Sequence, residues 1–207
     1  MGSKRALERE LSRVRGFEHP RVELEQYPTP AGIAAQLVHL ADLQGDLEGC
    51  VVDLGTGTGV LALGAALRAP ERVIGLDRDP AALARARENE RRIDPPRGVE
   101  WLLGDGGRPP LCPLGTTVLT NPPFGAQRGQ RHADRRFLEG ARGFADVIYS
   151  IHNEGSREFV ESFAADNGGE VTHAYELAFD LERQFEFHEE ERRTIRAECY
   201  RSAWRDV

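Results

Sequence analysis

Val51-Val52-Asp53-Leu54-Gly55-Thr56-Gly57-Thr58-Gly59-Val60 decides the architecture of this chain. A short apolar run rich in β-branched residues enters a turn with glycine at every second position, and helical apolar spacing continues to about residue 68. That is a buried strand, a Gly-rich turn and a helix, the opening of a βα unit. Glycines let the backbone approach a ligand closely, and the free N–H groups at a helix start favour polar or anionic groups. The spacing G-x-G-x-G differs from the dinucleotide pattern G-x-G-x-x-G. The next two strand ends give the turn its meaning. Ile74-Gly75-Leu76-Asp77 ends the second apolar run with a carboxylate placed to accept from two ribose hydroxyls, about twenty residues on. Gly104-Asp105-Gly106 ends the third, where a carboxylate can take a hydrogen bond from an adenine amino group. Strand ends of this kind in succession build one crevice at the carboxyl edge of a parallel sheet.

Working outward, strands are expected near 50–54, 72–77, 98–103, 116–120, 145–150, 170–179 and 194–202, with helices at 59–68, 80–92, 133–142 and 155–166. Asp79-Pro80 is a helix start signal, with Pro at the first helical position. No helical pattern separates the last two strands, so the sheet should end in an antiparallel pair. The expectation is an α/β fold: a mostly parallel seven-stranded sheet, helices on both faces and an antiparallel C-terminal strand. Upstream, Leu7, Leu11 and Val14 mark a short amphipathic helix, 17–30 with Pro20, Pro28 and Pro30 reads as an irregular crossing segment, and 31–43 is a second helix. Residues 1–48 are therefore lead helices and a crossing segment, on its own a loop more readily than a lid, of one domain spanning 1–207.

A chain of 207 residues suits one domain. No run approaches the roughly twenty apolar residues of a membrane helix, and the charged start Met1-Gly2-Ser3-Lys4 lacks a secretory pattern, which predicts a cytoplasmic protein. Cys50, Cys112 and Cys199 are far apart and odd in number, so neither a disulfide framework nor a metal site is expected. The net charge of -7 argues against a nucleic-acid partner, because phosphate neutralisation usually supplies most of that affinity. Lys4 is the single lysine, however, and arginine with excess acid resembles proteins that stay soluble in concentrated salt.

Thr120-Asn121-Pro122-Pro123-Phe124 comes directly after the fourth strand. Two prolines fix an extended turn in which the Asn121 side chain and the Pro122 carbonyl converge as acceptors. A planar NH2 group offers two donors to them, which orients its nitrogen toward a methyl donor. Phe124 offers a face on which a base can stack. Catalysis by such a site is positioning and electrostatics, with no strong general base.

Asp-Leu-Gly-Thr-Gly-Thr-Gly with Asn-Pro-Pro-Phe resembles the class I, Rossmann-like amino-methyltransferases. Leu24-Glu25-Gln26-Tyr27-Pro28-Thr29-Pro30, Asn121 to Gly125, Tyr149-Ser150-Ile151-His152 and Phe185-Glu186-Phe187-His188 together resemble, in order and spacing, the methyltransferase-like protein 5 family of ribosomal RNA adenine-N6 methyltransferases. The resemblance runs from about Leu24 to Tyr200. It implies transfer of a methyl group from S-adenosylmethionine to the N6 of an adenosine in small-subunit ribosomal RNA. It implies that Gln26 and Thr29 close over the methionine end of the cofactor and that Asp53, Gly55, Gly57, Thr58 and Val60 belong to its Gly-rich turn. Asp77 would hold the ribose, Asp105 and Gly106 the adenine, and Asn121, Pro122, Pro123 and Phe124 the target base. It also implies a small zinc-binding activator subunit, of the tRNA methyltransferase subunit 112 type, on the edge strand near 98–103, where an exposed Trp101, Leu102 and Leu103 would be a template for pairing, unless Trp101 packs under a helix instead.

The chain departs from the family pattern at Glu189-Glu190-Glu191, which stands in place of a lysine-rich run, and at Asn153. RNA contacts would then fall to Arg192, Arg193, Arg128, Arg131, Arg135 and Arg136. His152 and His188 read more readily as structural than as RNA-binding residues. Two alternatives stay open: a glutamine-N5 protein methyltransferase, since Asn-Pro-Pro suits amides as well as bases, and a cofactor-binding ribosome-assembly protein that transfers nothing.

Overall fold

The structure, a computed structural model, describes residues 2–111, 115–123, 133–181 and 193–204. Seven strands form one sheet: β1 (Cys50–Leu54), β2 (Arg72–Asp77), β3 (Glu100–Leu103), β4 (Thr116–Thr120), β5 (Ala145–Asn153), β6 (Glu170–Leu181) and β7 (Arg193–Ala203). Their order is β3-β2-β1-β4-β5-β7-β6. The first five pair in parallel, and β7 lies antiparallel between β5 and β6. The β1 residues Val51 and Val52 show how the sheet builds two cores. Successive side chains point to opposite faces, so Val51 joins Val73, Leu119 and Tyr149 under one helical layer and Val52 joins Ile74, Val118 and Ile148 under the other.

The first layer holds α1 (Lys4–Leu11), α2 (Ala31–Leu43), α3 (Val60–Ala66) and α4 (Pro80–Ile93); the second holds α5 (Ala133–Arg142) and α6 (Arg157–Asp166). Ser3 caps α1 by accepting from the Ala6 N–H, and the helix buries Leu7 and Leu11 against this layer. It stops at Leu11, earlier than the apolar spacing through Val14 suggests, and Val14 packs beyond the helix end. Asp79 caps α4 through the Ala81 N–H, with Pro80 at the first helical position as its sequence signals. β5 runs three residues past its expected end, because β7 pairs with it as far as Asn153.

The Asp46 carboxylate fixes the connection between α2 and β1 onto the sheet. It accepts from Tyr149 Oη at 2.6 Å and from Arg201 Nε at 2.7 Å, and both charged side chains are nearly buried. This network keeps the Tyr149 phenol protonated: burial raises its pKa, and Asp46 adds to the shift.

β3 forms the sheet edge, as expected, and of the two places open to Trp101 the indole takes the inward one. Gly75 on β2 has no side chain, and the indole fills that slot; a Cβ at position 75 would lie 2.5 Å from Trp101 Cζ3. The indole N–H donates to Glu90 Oε2 of α4 at 2.7 Å. Leu103, 59% exposed, is the large apolar residue that the edge presents to solvent.

Candidate active site

The carboxyl ends of the parallel strands open into a cavity of about 250 Å³. Gly55, Gly57 and Gly59 all have left-handed backbone, with φ of 77°, 54° and 91°, which is why the turn after β1 needs glycine at alternate positions. The Gly55 and Thr56 N–H groups both donate to Leu76 O at 2.9 Å, and the Gly57 N–H donates to Asp77 Oδ2 at 2.8 Å, so the end of β2 holds the turn in shape.

Asp53 is 1% exposed. Its Oδ2 accepts from Thr56 Oγ1 at 2.6 Å and from the Ala62 N–H at 2.8 Å, while its Oδ1 has no partner among the described residues. Burial pushes the carboxyl up to about 7, against the two hydrogen bonds. Burial also raises the Asp77 carboxyl, opposed by the N–H groups of Asp79 and Gly57. Burial works to raise Asp79 as well, but hydrogen bonds from Gln26 and Ala81 and the charge of Arg21 outweigh it and hold that carboxyl below its ordinary range.

The crossing segment covers the cavity. It contains one 3-10 turn, Val22–Leu24, and then reverses at Glu25, whose φ is 49°. Gln26 and Thr29 both line the cavity. Gln26 Nε2 donates to Asp79 Oδ2 at 2.6 Å, and its Oε1 accepts from the Arg21 N–H at 2.8 Å. Thr29 Oγ1 accepts from Asn121 Nδ2 at 2.9 Å, which leaves Asn121 Oδ1 buried and without a partner among the described residues. Pro123 lines the cavity with Asn121, and Pro122 is buried beside them. Thr58 and Val60 complete the wall after the Gly-rich turn. Asp105 and Gly106 line the far end, where Asp105 Oδ1 accepts from the Gly107 N–H and Oδ2 pairs with Arg136 at 3.3 Å. Phe124, His188, Arg128, Arg131, Arg192 and the Phe185-to-His188 motif lie outside the described residues.

Two aromatic walls escape a reading of motifs. Phe17 lies over Gly57, where a Cβ would approach its ring to 3.0 Å, and Phe137 of α5 is wedged between Gly55 and Gly106. The backbone just before Phe17 is held by Asn89 of α4, a fully buried amide that accepts from the Arg15 N–H and donates to the carbonyls of Arg15 and Thr58. Glycines at 55, 57 and 106 are the available signal, since each marks a place where something packs closely.

His152 belongs to the frame. Its Nε2 pairs with Ser150 Oγ at 2.9 Å and its ring meets Phe159 and Tyr200 edge-on. Burial pushes it down to about 4, with Glu198 opposing, so the ring is neutral. Arg135 pairs with Glu139 and lies over the Phe163 ring, while Arg136 faces Asp105.

A sheet in this order, with a Gly-rich turn after β1, a carboxylate ending β2 and Asn-Pro-Pro after β4, defines a class I methyltransferase fold. Residues 33–146 match the family model Methyltransferase small domain. The chain is 33% identical over 206 residues to the rRNA N(6)-adenosine-methyltransferase Mettl5 of Drosophila melanogaster, spanning 95% of this chain and 94% of that one. The corresponding Danio rerio enzyme is 33% identical, over 94% of this chain and 96% of its own. Among solved structures, PH1948 of Pyrococcus horikoshii, a protein proposed to be an RNA methyltransferase, superposes with a TM-score of 0.84 at 38% identity over 99% of this chain and 98% of its own. The chain belongs to the methyltransferase-like protein 5 family.

Proposed function

We propose that this chain transfers the methyl group of S-adenosylmethionine to the exocyclic N6 of an adenosine in small-subunit ribosomal RNA. The observation that carries the reading is Asn121 Oδ1: a buried acceptor, without a partner among the described residues, on a side chain that lines the cavity. A buried amide oxygen in that state calls for an N–H donor. The names of the relatives supply the base and the RNA class.

The residues present fit the cofactor. Asp53 Oδ1 is a second buried acceptor in the cavity wall and suits an ammonium group, and Asp77 and Asp105 line the same cavity. S-adenosylmethionine would supply an electrophilic methyl group on its sulfonium. Gly55, Gly57, Thr58 and Val60 would line its binding turn, Asp77 would accept from the ribose hydroxyls, and Asp105 and Gly106 would meet the adenine, with Gln26 and Thr29 in the lid above. Asn121 Oδ1 and the Pro122 carbonyl accept the two N–H groups of the target amine, which turns its lone pair toward the methyl group. Phe124 provides the stacking face. No general base is required of these residues, because the nitrogen becomes acidic on methylation and its proton passes to water.

The free edge of β3 and the exposed Leu103 support docking of a zinc-binding activator subunit there. No helix among the described residues is long and apolar enough to cross a membrane, in keeping with action on ribosomal RNA in the cytoplasm.

The test is transfer of radiolabel from S-adenosylmethionine to ribosomal RNA, with the activator-type subunit present, and digestion of the product to nucleosides. Label should appear in N6-methyladenosine and fall about 10²- to 10³-fold in Asn121→Ala, the usual cost of deleting one preorganised polar group at the reacting centre. Label in protein instead would support glutamine methylation and overturn the reading.

A further inference from the structure

The lid is fastened at two points to opposite halves of the site. At one end Arg21 and Gln26 hold Asp79: Arg21 Nη2 lies 2.9 Å from Asp79 Oδ1, and Gln26 Nε2 lies 2.6 Å from Oδ2. The Asp79 N–H in turn donates to Asp77 Oδ1 at 2.8 Å, so this fastening reaches the carboxylate that ends β2. At the other end Thr29 Oγ1 accepts from Asn121 Nδ2 across 92 residues of sequence. Between them Gln26 spends both ends of its amide on protein partners, which makes it a strut within the lid.

Asn121 sits where its orientation decides whether the site works. A carboxamide has an acceptor end and a donor end of nearly the same shape. With Nδ2 on Thr29, the acceptor end is the one left for an incoming N–H. Turned over, the amide would present its own N–H groups to those of the target, and no hydrogen bond could form. Removing the Thr29 hydroxyl takes away this partner and frees the Asn121 side chain to leave its place.

We propose that Thr29 is a positioning residue for methyl transfer: its hydroxyl holds the Asn121 carboxamide in place, one end of the amide on Thr29 and the other left for the target amine, and the lid holds Thr29 there through its fastening on Asp79. The proposal rests on the amine-binding role given above to Asn121. It assigns the lid a duty toward the methyl acceptor, beyond covering the cofactor.

The experiment compares Thr29→Val, which keeps the shape and loses the hydroxyl, with Thr29→Ser, which keeps the hydroxyl. Each is made in wild type and in Asn121→Ala, in the complex with the activator-type subunit. The expected result for Thr29→Val is a fall in kcat of about 10- to 100-fold at saturating cofactor, as misplacement of a reacting group produces. Thr29→Ser should stay within about 3-fold of wild type, and in Asn121→Ala the valine should cost nothing further. Equal losses from Thr29→Val in both backgrounds, or a loss confined to cofactor Kd, would overturn the proposal. Label in another nucleoside or in protein would overturn the adenine reading alone, because the same cycle can be run on that acceptor; a wild type that labels nothing would overturn both.

Discussion

Replacing Asp53 with asparagine should make the cofactor-free protein progressively more stable, relative to wild type, as pH rises. Asp53 Oδ2 takes two hydrogen bonds, from Thr56 and Ala62, and an amide oxygen at the same place can accept both. The substitution therefore keeps the turn and removes the titration. In the folded chain burial raises this carboxyl to about 7, against an ordinary value of 3.8. The folded state thus holds the proton over a range in which the unfolded state has released it. The stability that Asp53 contributes is full below the unfolded value and drains away as pH rises through about 7. Integrating between pH 5 and pH 8 gives a loss of about 2.5 kcal/mol for wild type that the asparagine variant does not share. Urea unfolding of both proteins at half-unit pH steps measures it, and the quantity to track is the difference between them, in which groups uncoupled from Asp53 cancel. S-adenosylmethionine affinity should move the opposite way, because the variant lacks the negative charge that suits an ammonium group. A difference that stays flat from pH 5 to pH 8 would refute the argument and show that Asp53 is ionised in the free protein throughout.

Gly75→Ala should cost about 1–3 kcal/mol in urea unfolding, as overpacking does, because the new Cβ would stand 2.5 Å from Trp101 Cζ3 on one side and 3.1 Å from Thr56 Oγ1 on the other. Tryptophan fluorescence of the folded variant should shift with it, and an unchanged midpoint and spectrum would mean that Trp101 does not occupy the slot. Asp46→Ala should cost about 3–5 kcal/mol by the same assay, since it leaves the nearly buried Arg201 guanidinium uncompensated; a loss below about 1 kcal/mol would place that pair in solvent.

Much of this architecture can be read from local pattern. Strand and helix periods are properties of short windows, and β1, β2 and β4 fall at the residues the alternation indicates. The Gly-rich turn, Asp77, Asp105 and Asn121 are visible because each stands at the end of an apolar run or just beyond it, and in a parallel sheet all such positions meet along one edge. What local pattern does not carry is pairing across long separations. Gln26 with Asp79 spans 53 residues, and Asn89 with Arg15 spans 74. Each joins ordinary polar residues that would serve as well on a solvated surface. Trp101 could not be placed between exposed edge and core for the same reason: its environment depends on Gly75 in the neighbouring strand, and only the β2–β3 register, which sets Gly75 opposite Trp101, shows that the indole has a slot to fill.

The sheet order explains why one cavity can serve both partners of the reaction. Helices that come after β1 and β2 pack on one face, and the helix that comes after β4 packs on the other, so the chain diverges between β1 and β4 and a crevice opens there. Thr120 Oγ1 donates to Leu54 O at 2.7 Å, which ties the last residue of β4 to the last residue of β1 beneath that crevice. The Gly-rich turn and Asn121-Pro122-Pro123 therefore leave the sheet from a single joint, one toward the proposed cofactor half and the other toward the proposed acceptor half. On one side α5 reaches across, with Phe137 against Gly55 and Gly106 and Arg136 on Asp105. A second connection passes over the top, and the segment that supplies it enters from before β1, where it belongs to neither half: it reaches Asp79 with Arg21 and Gln26 and Asn121 with Thr29.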